Sequence, residues 1–100
     1  MVGRLSLGKA FRGRKAELVR LYQSLDEALR HTEGYVASCI FINPDDPDEV
    51  GRLSLWQTHA DIDRSSRDTH IVALRSEIHN LLQPGHTEQV VEIASAINLP

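Results

Sequence analysis

Hydrophobic and polar residues alternate along four stretches of the chain, in the pattern typical of β-strands. The first stretch places Leu5 and Leu7 on one side and Arg4 and Ser6 on the other. The second stretch is dense in β-forming residues and has apolar side chains on both sides. The pattern predicts strands over residues 2–9, 35–42, 50–58 and 88–96.

Two stretches with the period of an α-helix lie between these strands, one after the first strand and one after the third. Residues 14–31 carry an apolar stripe that includes Leu18, Leu25 and Leu29, with charged residues on the opposite side. Gly34 follows at the position where a helix end favours a left-handed residue. A second helix is predicted over residues 69–82, and Pro84-Gly85 stops it. Residues 59–66 predict only a short helix, which Thr58 caps together with Asp61.

A six-residue repeat supports a two-fold plan for the chain. Residues 2–7 and 50–55 have the same sequence, Val-Gly-Arg-Leu-Ser-Leu, and the copies start 48 residues apart. Each copy begins one βαβ half. The order βαββαβ is the ferredoxin-like plan, an α+β fold in which helices cover one face of a four-stranded antiparallel sheet. The sequence therefore predicts one domain over residues 1–100.

The two faces of this sheet differ in composition. The alternation predicts that the leucines at positions 5, 7, 53 and 55 lie under the helices. The opposite face then carries aromatic, aliphatic and charged residues together: Tyr35, Phe41, Trp56, Val90, Arg4, Arg52, Glu88 and Glu92. Such a face is too apolar for solvent, so a homodimer through the sheet is predicted, with a cavity either between each sheet and its own helices or within the barrel. Arg4 and Arg52 could hold an anion there, or pair with the two glutamates.

Composition excludes several classes of function. The 100 residues carry a net charge of −3 and no large basic patch, which argues against nucleic-acid binding. No run approaches the ~20 apolar residues of a membrane span, so a soluble, cytoplasmic protein is expected. Cys39 is the only cysteine, and the histidines lack metal-site spacing, so no metal is predicted. The acidic loop 43–48 lacks the spacing of a calcium loop.

Three short features resemble the antibiotic biosynthesis monooxygenase domain family. They are Glu33-Gly34-Tyr35 between helix and strand, Leu55-Trp56-Gln57-Thr58 at a strand end, and His70, fourteen residues after the tryptophan. The resemblance covers nearly the whole chain. It implies a dimeric α+β barrel and, in the characterised enzymes, oxidation of phenols, quinols or anthrones by O₂ without metal or flavin.

The resemblance also suggests roles for individual residues. His70 would be the base, because histidine titrates near neutral pH, and Arg52 or Arg75 would stabilise the substrate anion. The substrate-binding candidates are Trp56 as a stacking wall, Tyr22 and Tyr35 as hydroxyls, His59 at the pocket mouth, and Phe41. Each also has a simpler explanation: Trp56 and the tyrosines as core residues, and the histidines and Arg75 as solvated ones.

The chain departs from the family at informative positions. Many relatives have an earlier histidine in the second helical region, where this chain has Ser65. Members that degrade haem use an asparagine on the first strand and a tryptophan on the second helix, and this chain has neither. Haem degradation is therefore not expected. The alternative to a monooxygenase is a non-catalytic dimeric barrel that binds a small ligand or acts as an assembly module.

Overall fold

A computed structural model describes residues 1–99 and has the predicted element order. The end of the predicted domain, residue 100, lies outside the described residues. The strands are β1 (Val2–Lys9), β2 (Tyr35–Ile42), β3 (Glu49–Trp56) and β4 (Thr87–Glu92), and the helices are α1 (Lys15–Leu29), α2 (His59–Ser65) and α3 (Thr69–Leu81). The last strand ends four residues earlier than predicted, since residues 93–96 are not in a strand.

The four strands form one antiparallel sheet in the order β2-β3-β1-β4. The two copies of the repeat lie side by side in the centre, with Leu5 opposite Leu53 and Arg4 opposite Ser54. This confirms the ferredoxin-like α+β prediction. Helices α1 and α3 pack on one face, and their buried stripes meet the sheet through Leu18, Leu25, Ile71 and Ile78.

The prediction of which sheet face lies under the helices was wrong. Val50 and Trp56 belong to the core below the helices, and Arg52 pairs with Asp26 of α1. Leu53 and Leu55 are on the opposite face, where they line the space above Gly3. Several polar residues on the helix-facing side have internal partners: Arg52 pairs with Asp26, Arg4 pairs with Glu88, and Ser54 accepts the indole N–H of Trp56. We call the face that no helix covers the open face; it carries Leu5, Leu7, Ala37, Cys39, Phe41, Leu53, Leu55 and Val91.

Strict alternation would place Tyr35 on the same face as Ala37 and Cys39. A β-bulge places it on the opposite face. The register between β2 and β3 shifts between Tyr35 and Ala37, so one extra residue is inserted. Tyr35 is returned to the helix side, where its ring meets that of Trp56 edge-on at a centroid distance of 5.4 Å. The bulge thus places both aromatic rings in the core.

The predicted capping box of α2 is confirmed, and it packs against the turn between α1 and β2. Thr58 Oγ1 accepts the backbone N–H of Asp61 at 3.2 Å, and Asp61 Oδ2 accepts the backbone N–H of Thr58 at 3.2 Å. Gly34 packs directly on the Asp61 carboxylate and has a φ of +83°. Its carbonyl accepts the backbone N–H of Gln57 at 2.8 Å.

We expect Gly34→Ala to destabilise the fold more than Gly13→Ala does. Both glycines have positive φ, so each alanine costs about 1–2 kcal/mol of backbone strain. Only at Gly34 would the new Cβ overlap another side chain, the Asp61 carboxylate, whereas Gly13 faces open space. The overlap adds about 1–3 kcal/mol. Urea unfolding of both variants measures the difference, and equal destabilisation would show that the packing on Asp61 has no energetic weight.

Candidate functional site

A cavity of about 160 Å³ lies between the sheet and the helices α1 and α3. We call it the arginine cavity, because three guanidinium groups line it, from Arg4 on β1, Arg52 on β3 and Arg75 on α3. The other lining residues are Ser6, Tyr22, Leu25, Ile78, His79, Leu82, His86 and Glu88. The exposed residues among them, His79 and Glu88, mark the mouth.

The alternation of β1 and β3 places the first two arginines there. Arg4 and Arg52 face the helices, as do their strand neighbours Ser6 and Ser54. Arg52 is only 2% exposed, and its Nε donates to Asp26 Oδ1 at 2.7 Å. Arg4 Nη2 donates to Glu88 Oε2 at 2.9 Å, and Ser6 Oγ donates to Glu88 Oε1 at 3.2 Å. Two arginines are thus each held by a carboxylate.

Arg75 has no such carboxylate. Among residues 1–99, two buried side-chain nitrogens lack a hydrogen-bond partner, Arg75 Nε and Arg52 Nη2. Buried polar atoms are normally hydrogen-bonded, so orphaned ones need an explanation. Both residues line the same cavity. The arrangement is suited to donating hydrogen bonds to an anion inside it.

The excess of guanidinium groups over carboxylates determines the electrostatics of the cavity. Burial, together with the positive charges of Arg4 and Arg52, lowers the pKa of Arg75 to about 10, although the charge of Glu88 opposes the shift. Arg75 therefore still carries its charge at neutral pH. Burial raises the pKa of Tyr22, so its hydroxyl is neutral and able to donate. Burial raises the pKa of Glu88, but the hydrogen bond and charge of Arg4, with Arg75 and Ser6, outweigh it and hold that pKa below the usual value.

Solved structures with the same architecture were found. SnoaB from Streptomyces nogalater, a cofactor-independent oxygenase seen in a mutant form, superposes with a TM-score of 0.87 at 11% sequence identity, covering 97% of this chain and 96% of that one. An antibiotic biosynthesis monooxygenase superposes with a TM-score of 0.82 at 18% identity, covering 95% and 100%. Rv0793 from Mycobacterium tuberculosis gives 0.83 at 14%, covering 95% and 96%.

This chain has the antibiotic biosynthesis monooxygenase fold. The resemblance seen in the sequence is thereby confirmed for the fold. No protein-family model and no curated protein sequence matches the chain. No helix in residues 1–99 is long and apolar enough to cross a membrane. Within the same residues, no group of three His, Cys, Asp or Glu side chains is arranged to hold a metal ion.

On this monooxygenase fold, three of the residues singled out in the sequence come together. Arg52, Arg75 and Tyr22 line the arginine cavity. Trp56 and Tyr35 lie in the core outside it. The indole N–H of Trp56 donates to Ser54 Oγ at 3.0 Å, and the hydroxyl of Tyr35 bonds that of Ser38.

The other three predicted site residues lie on the surface of the molecule. His70 is exposed in the first turn of α3, where its backbone N–H donates to Asp68 Oδ1 at 2.9 Å. His59 is exposed beside Asp63, with 3.3 Å between Nδ1 and Oδ2. Phe41 lies on the open face, against Gly51. None of the three lines the arginine cavity.

Sequence reasoning did not select Glu88, His79 and His86 for the site. The rings of His79 and His86 meet edge-on with centroids 5.0 Å apart, and both line the cavity. The Arg4–Glu88 ion pair was expected from strand alternation, but on a face covered by a second copy of the chain. One feature of the sequence could have identified His86: it directly follows the Pro84-Gly85 turn that leads from α3 into β4.

Acid is expected to weaken the fold through Glu88. Its folded pKa is below the usual value, so its contribution to stability is present above the unfolded pKa and is lost as pH falls through the folded pKa. Urea unfolding between pH 6 and pH 3 checks this, with Glu88→Gln as the variant that lacks the titration. The Gln variant should lose less stability over that range than the wild type, and identical pH slopes would contradict the assignment.

Proposed function

We propose that this chain is a cofactor-independent monooxygenase that oxidises a small phenolic or quinol-like compound in the arginine cavity. The observation that carries the proposal is that three guanidinium groups and one carboxylate line that cavity, and that two buried guanidinium nitrogens there have no hydrogen-bond partner within residues 1–99. Oxidation by O₂ without a cofactor requires the substrate's own anion to reduce oxygen, so the protein must stabilise an organic anion. The fold shared with SnoaB, a cofactor-independent oxygenase, supports the same reaction class.

The cavity size narrows the substrate. A cavity of about 150 Å³ is enough to hold benzene, and the arginine cavity has about 160 Å³. A single ring fits this space, whereas a three-ring anthrone is larger than the cavity. A balanced reaction for one ring is phenol plus O₂ giving para-quinone plus water. One oxygen atom becomes the new carbonyl, the other leaves as water with two hydrogens, and the ring gives four electrons to O₂.

In this proposal, some cavity residues bind the substrate anion and another accepts the proton. Arg75 and Arg52 hold the phenolate oxygen, and Tyr22 donates a further hydrogen bond. His86 accepts the phenol proton. Its Nδ1 lies 3.4 Å from the carbonyl oxygen of Gln83, which can only accept, so this contact needs the proton on Nδ1 and leaves Nε2 to accept. Glu88 is a poorer base because Arg4 and Ser6 already bind its carboxylate.

A homodimer through the open face completes the proposal. Leu7 and Phe41 on that face are 40% and 41% exposed. Leu5 and Leu53 lie opposite each other on the two central strands of the same face. An apolar sheet face of this kind favours burial against an identical surface through a two-fold axis. The dimer leaves the arginine cavity on the other side of each sheet.

Oxygen consumption tests the reaction. We expect one-ring phenols and quinols to drive O₂ uptake above the rate of the same solution without protein. Arg75→Met should lower kcat about 10²–10³-fold, because it removes a donor to the developing anion. The matched control is Arg67→Met, an exposed arginine outside the cavity, which should keep the wild-type rate.

The competing function is binding without turnover. The ion pair of Glu88 with Arg4 favours it, since Glu88 is the carboxylate that lines the cavity among residues 1–99 and it is not free to act as a base. In that case the same compounds would bind to the protein without any protein-dependent O₂ uptake. Uptake that is equal in the wild type and Arg75→Met would contradict the role of the arginine cavity.

A further inference from the structure

The charges around the arginine cavity do not balance. Arg4 and Arg52 are paired with Glu88 and Asp26, and within residues 1–99 no carboxylate forms an ion pair with Arg75. A buried charge is stable only when it is paired and hydrogen-bonded. The missing partner is therefore one negative charge, which an occupant of the cavity would supply.

The protonation behaviour of the occupant decides which anion fits. A simple phenol is neutral at pH 7 and would enter without a charge, leaving Arg75 uncompensated until the proton is lost. A carboxylate is negative at every pH near neutrality. It also offers two acceptor oxygens, which suits two orphaned donors on separate residues, Arg75 Nε and Arg52 Nη2.

The rest of the lining favours a ring rather than a bare inorganic anion. Leu25 of α1, Ile78 of α3 and Leu82 line the cavity together with the arginines. These apolar walls would be left in contact with water if only phosphate or acetate occupied the space. A single aromatic ring fills a volume of this order and covers them.

We infer that the substrate of this chain is a one-ring aromatic acid, whose carboxylate binds Arg75 and Arg52 while its ring packs on Leu25 and Ile78. A 2-hydroxybenzoate places the oxidisable phenol oxygen next to this carboxylate, so Arg75 and Arg52 can hold both groups, and it keeps a hydrogen at the ring position para to the hydroxyl, where the new carbonyl forms. The inference rests on the proposed function for the use of the arginine cavity as the substrate site. It is testable by binding alone, without turnover.

Calorimetric titration of the wild-type protein with benzoate and with benzamide separates charge from shape, because benzamide has nearly the same size and no charge. We expect benzoate to bind at least ~10-fold more tightly than benzamide. Arg75→Met should remove this preference, and Arg75→Lys should keep part of it, since lysine restores the charge without the planar fork. Arg67→Met should leave the preference intact. Circular dichroism and a melting curve confirm that each variant is folded.

Three outcomes overturn the inference: equal affinity for benzoate and benzamide, an unchanged preference in folded Arg75→Met, or inorganic phosphate binding as tightly as benzoate. The last outcome would assign the cavity to a small inorganic anion. Oxygen uptake with 2-hydroxybenzoate is scored separately. Selective benzoate binding without any protein-dependent uptake would refute the proposed monooxygenase and support the inferred ligand class.

Discussion

Replacing Trp56 by alanine is expected to cost about 3–5 kcal/mol of the free energy of unfolding. The side chain is 1% exposed, packs edge-on against Tyr35, and donates its indole N–H to Ser54. Alanine leaves a cavity and removes the donor to a buried hydroxyl. Each kcal/mol lowers the Tm of a domain of this size by roughly 4–8 °C, so the melting temperature should fall by more than about 12 °C.

Phe11→Ala is the matched control, since it truncates an aromatic residue that is 45% exposed. Its free energy of unfolding should stay within about 0.5 kcal/mol of the wild type. Trp56→Phe should lie between the two, because it keeps a ring in the core and loses the hydrogen bond. A Trp56→Ala variant as stable as Phe11→Ala would contradict the placement of Trp56 under the helices.

Leu53→Glu is expected to convert the proposed homodimer into a monomer. Leu53 lies at the centre of the open face, opposite Leu5 on one side and Cys39 on the other. A glutamate there would bury one charge from each subunit in an apolar interface, which is strongly unfavourable. Sedimentation should give about twice the 11.2 kDa chain mass for the wild type and the single-chain mass for Leu53→Glu.

Val72→Glu supplies the control for charge, because Val72 is an exposed residue of α3, on the side away from the open face. It should stay dimeric. Cys39 gives a second readout, since it lies on the open face and is exposed in the single chain. A thiol reagent should react slowly with the wild type and fast with Leu53→Glu. A monomeric wild type would contradict the homodimer.

The fold could be predicted from the sequence because several independent signals agree. The strand alternation, the helical stripe of Leu18, Leu25 and Leu29, and the repeat at residues 2–7 and 50–55 each indicate βαββαβ. The capping box at Thr58 marked the start of α2 correctly, whereas α1 ends at Leu29, two residues before its predicted end, so the left-handed Gly34 lies in the turn before β2 and not at the helix end. These features are local, so they are visible without knowledge of tertiary contacts.

The orientation of the sheet could not be predicted, because both faces carry apolar residues. The rule that the most apolar face lies inside placed Leu53 and Leu55 below the helices. Two tertiary features reverse this orientation. Asp26 of α1 neutralises the buried Arg52, and the bulge at Tyr35 brings a second aromatic ring to Trp56. Neither the ion-pair partner nor the bulge can be identified from alternation alone.

The site was predicted only in part, because tertiary contacts also decide which residues line the cavity. Arg52, Arg75 and Tyr22 lie together because β3, α3 and α1 present them to one cavity. The choice of His70 as base relied on its distance from Trp56 along the chain, and the structure places His70 on the surface, away from that cavity. Its catalytic role stays an untested prediction. His86 enters the site only because β4 pairs with β1.

The central claim is that the arginine cavity is where this chain binds its substrate. Nuclear magnetic resonance of the arginine Nε–H groups measures this directly during a titration of the wild-type protein with 2-hydroxybenzoate. We expect a saturable shift of the Arg75 Nε–H signal, which has no partner among residues 1–99, and no shift of the Arg67 signal. An Arg75 Nε–H signal that does not move, even at saturating concentrations of the ligand, would contradict the claim.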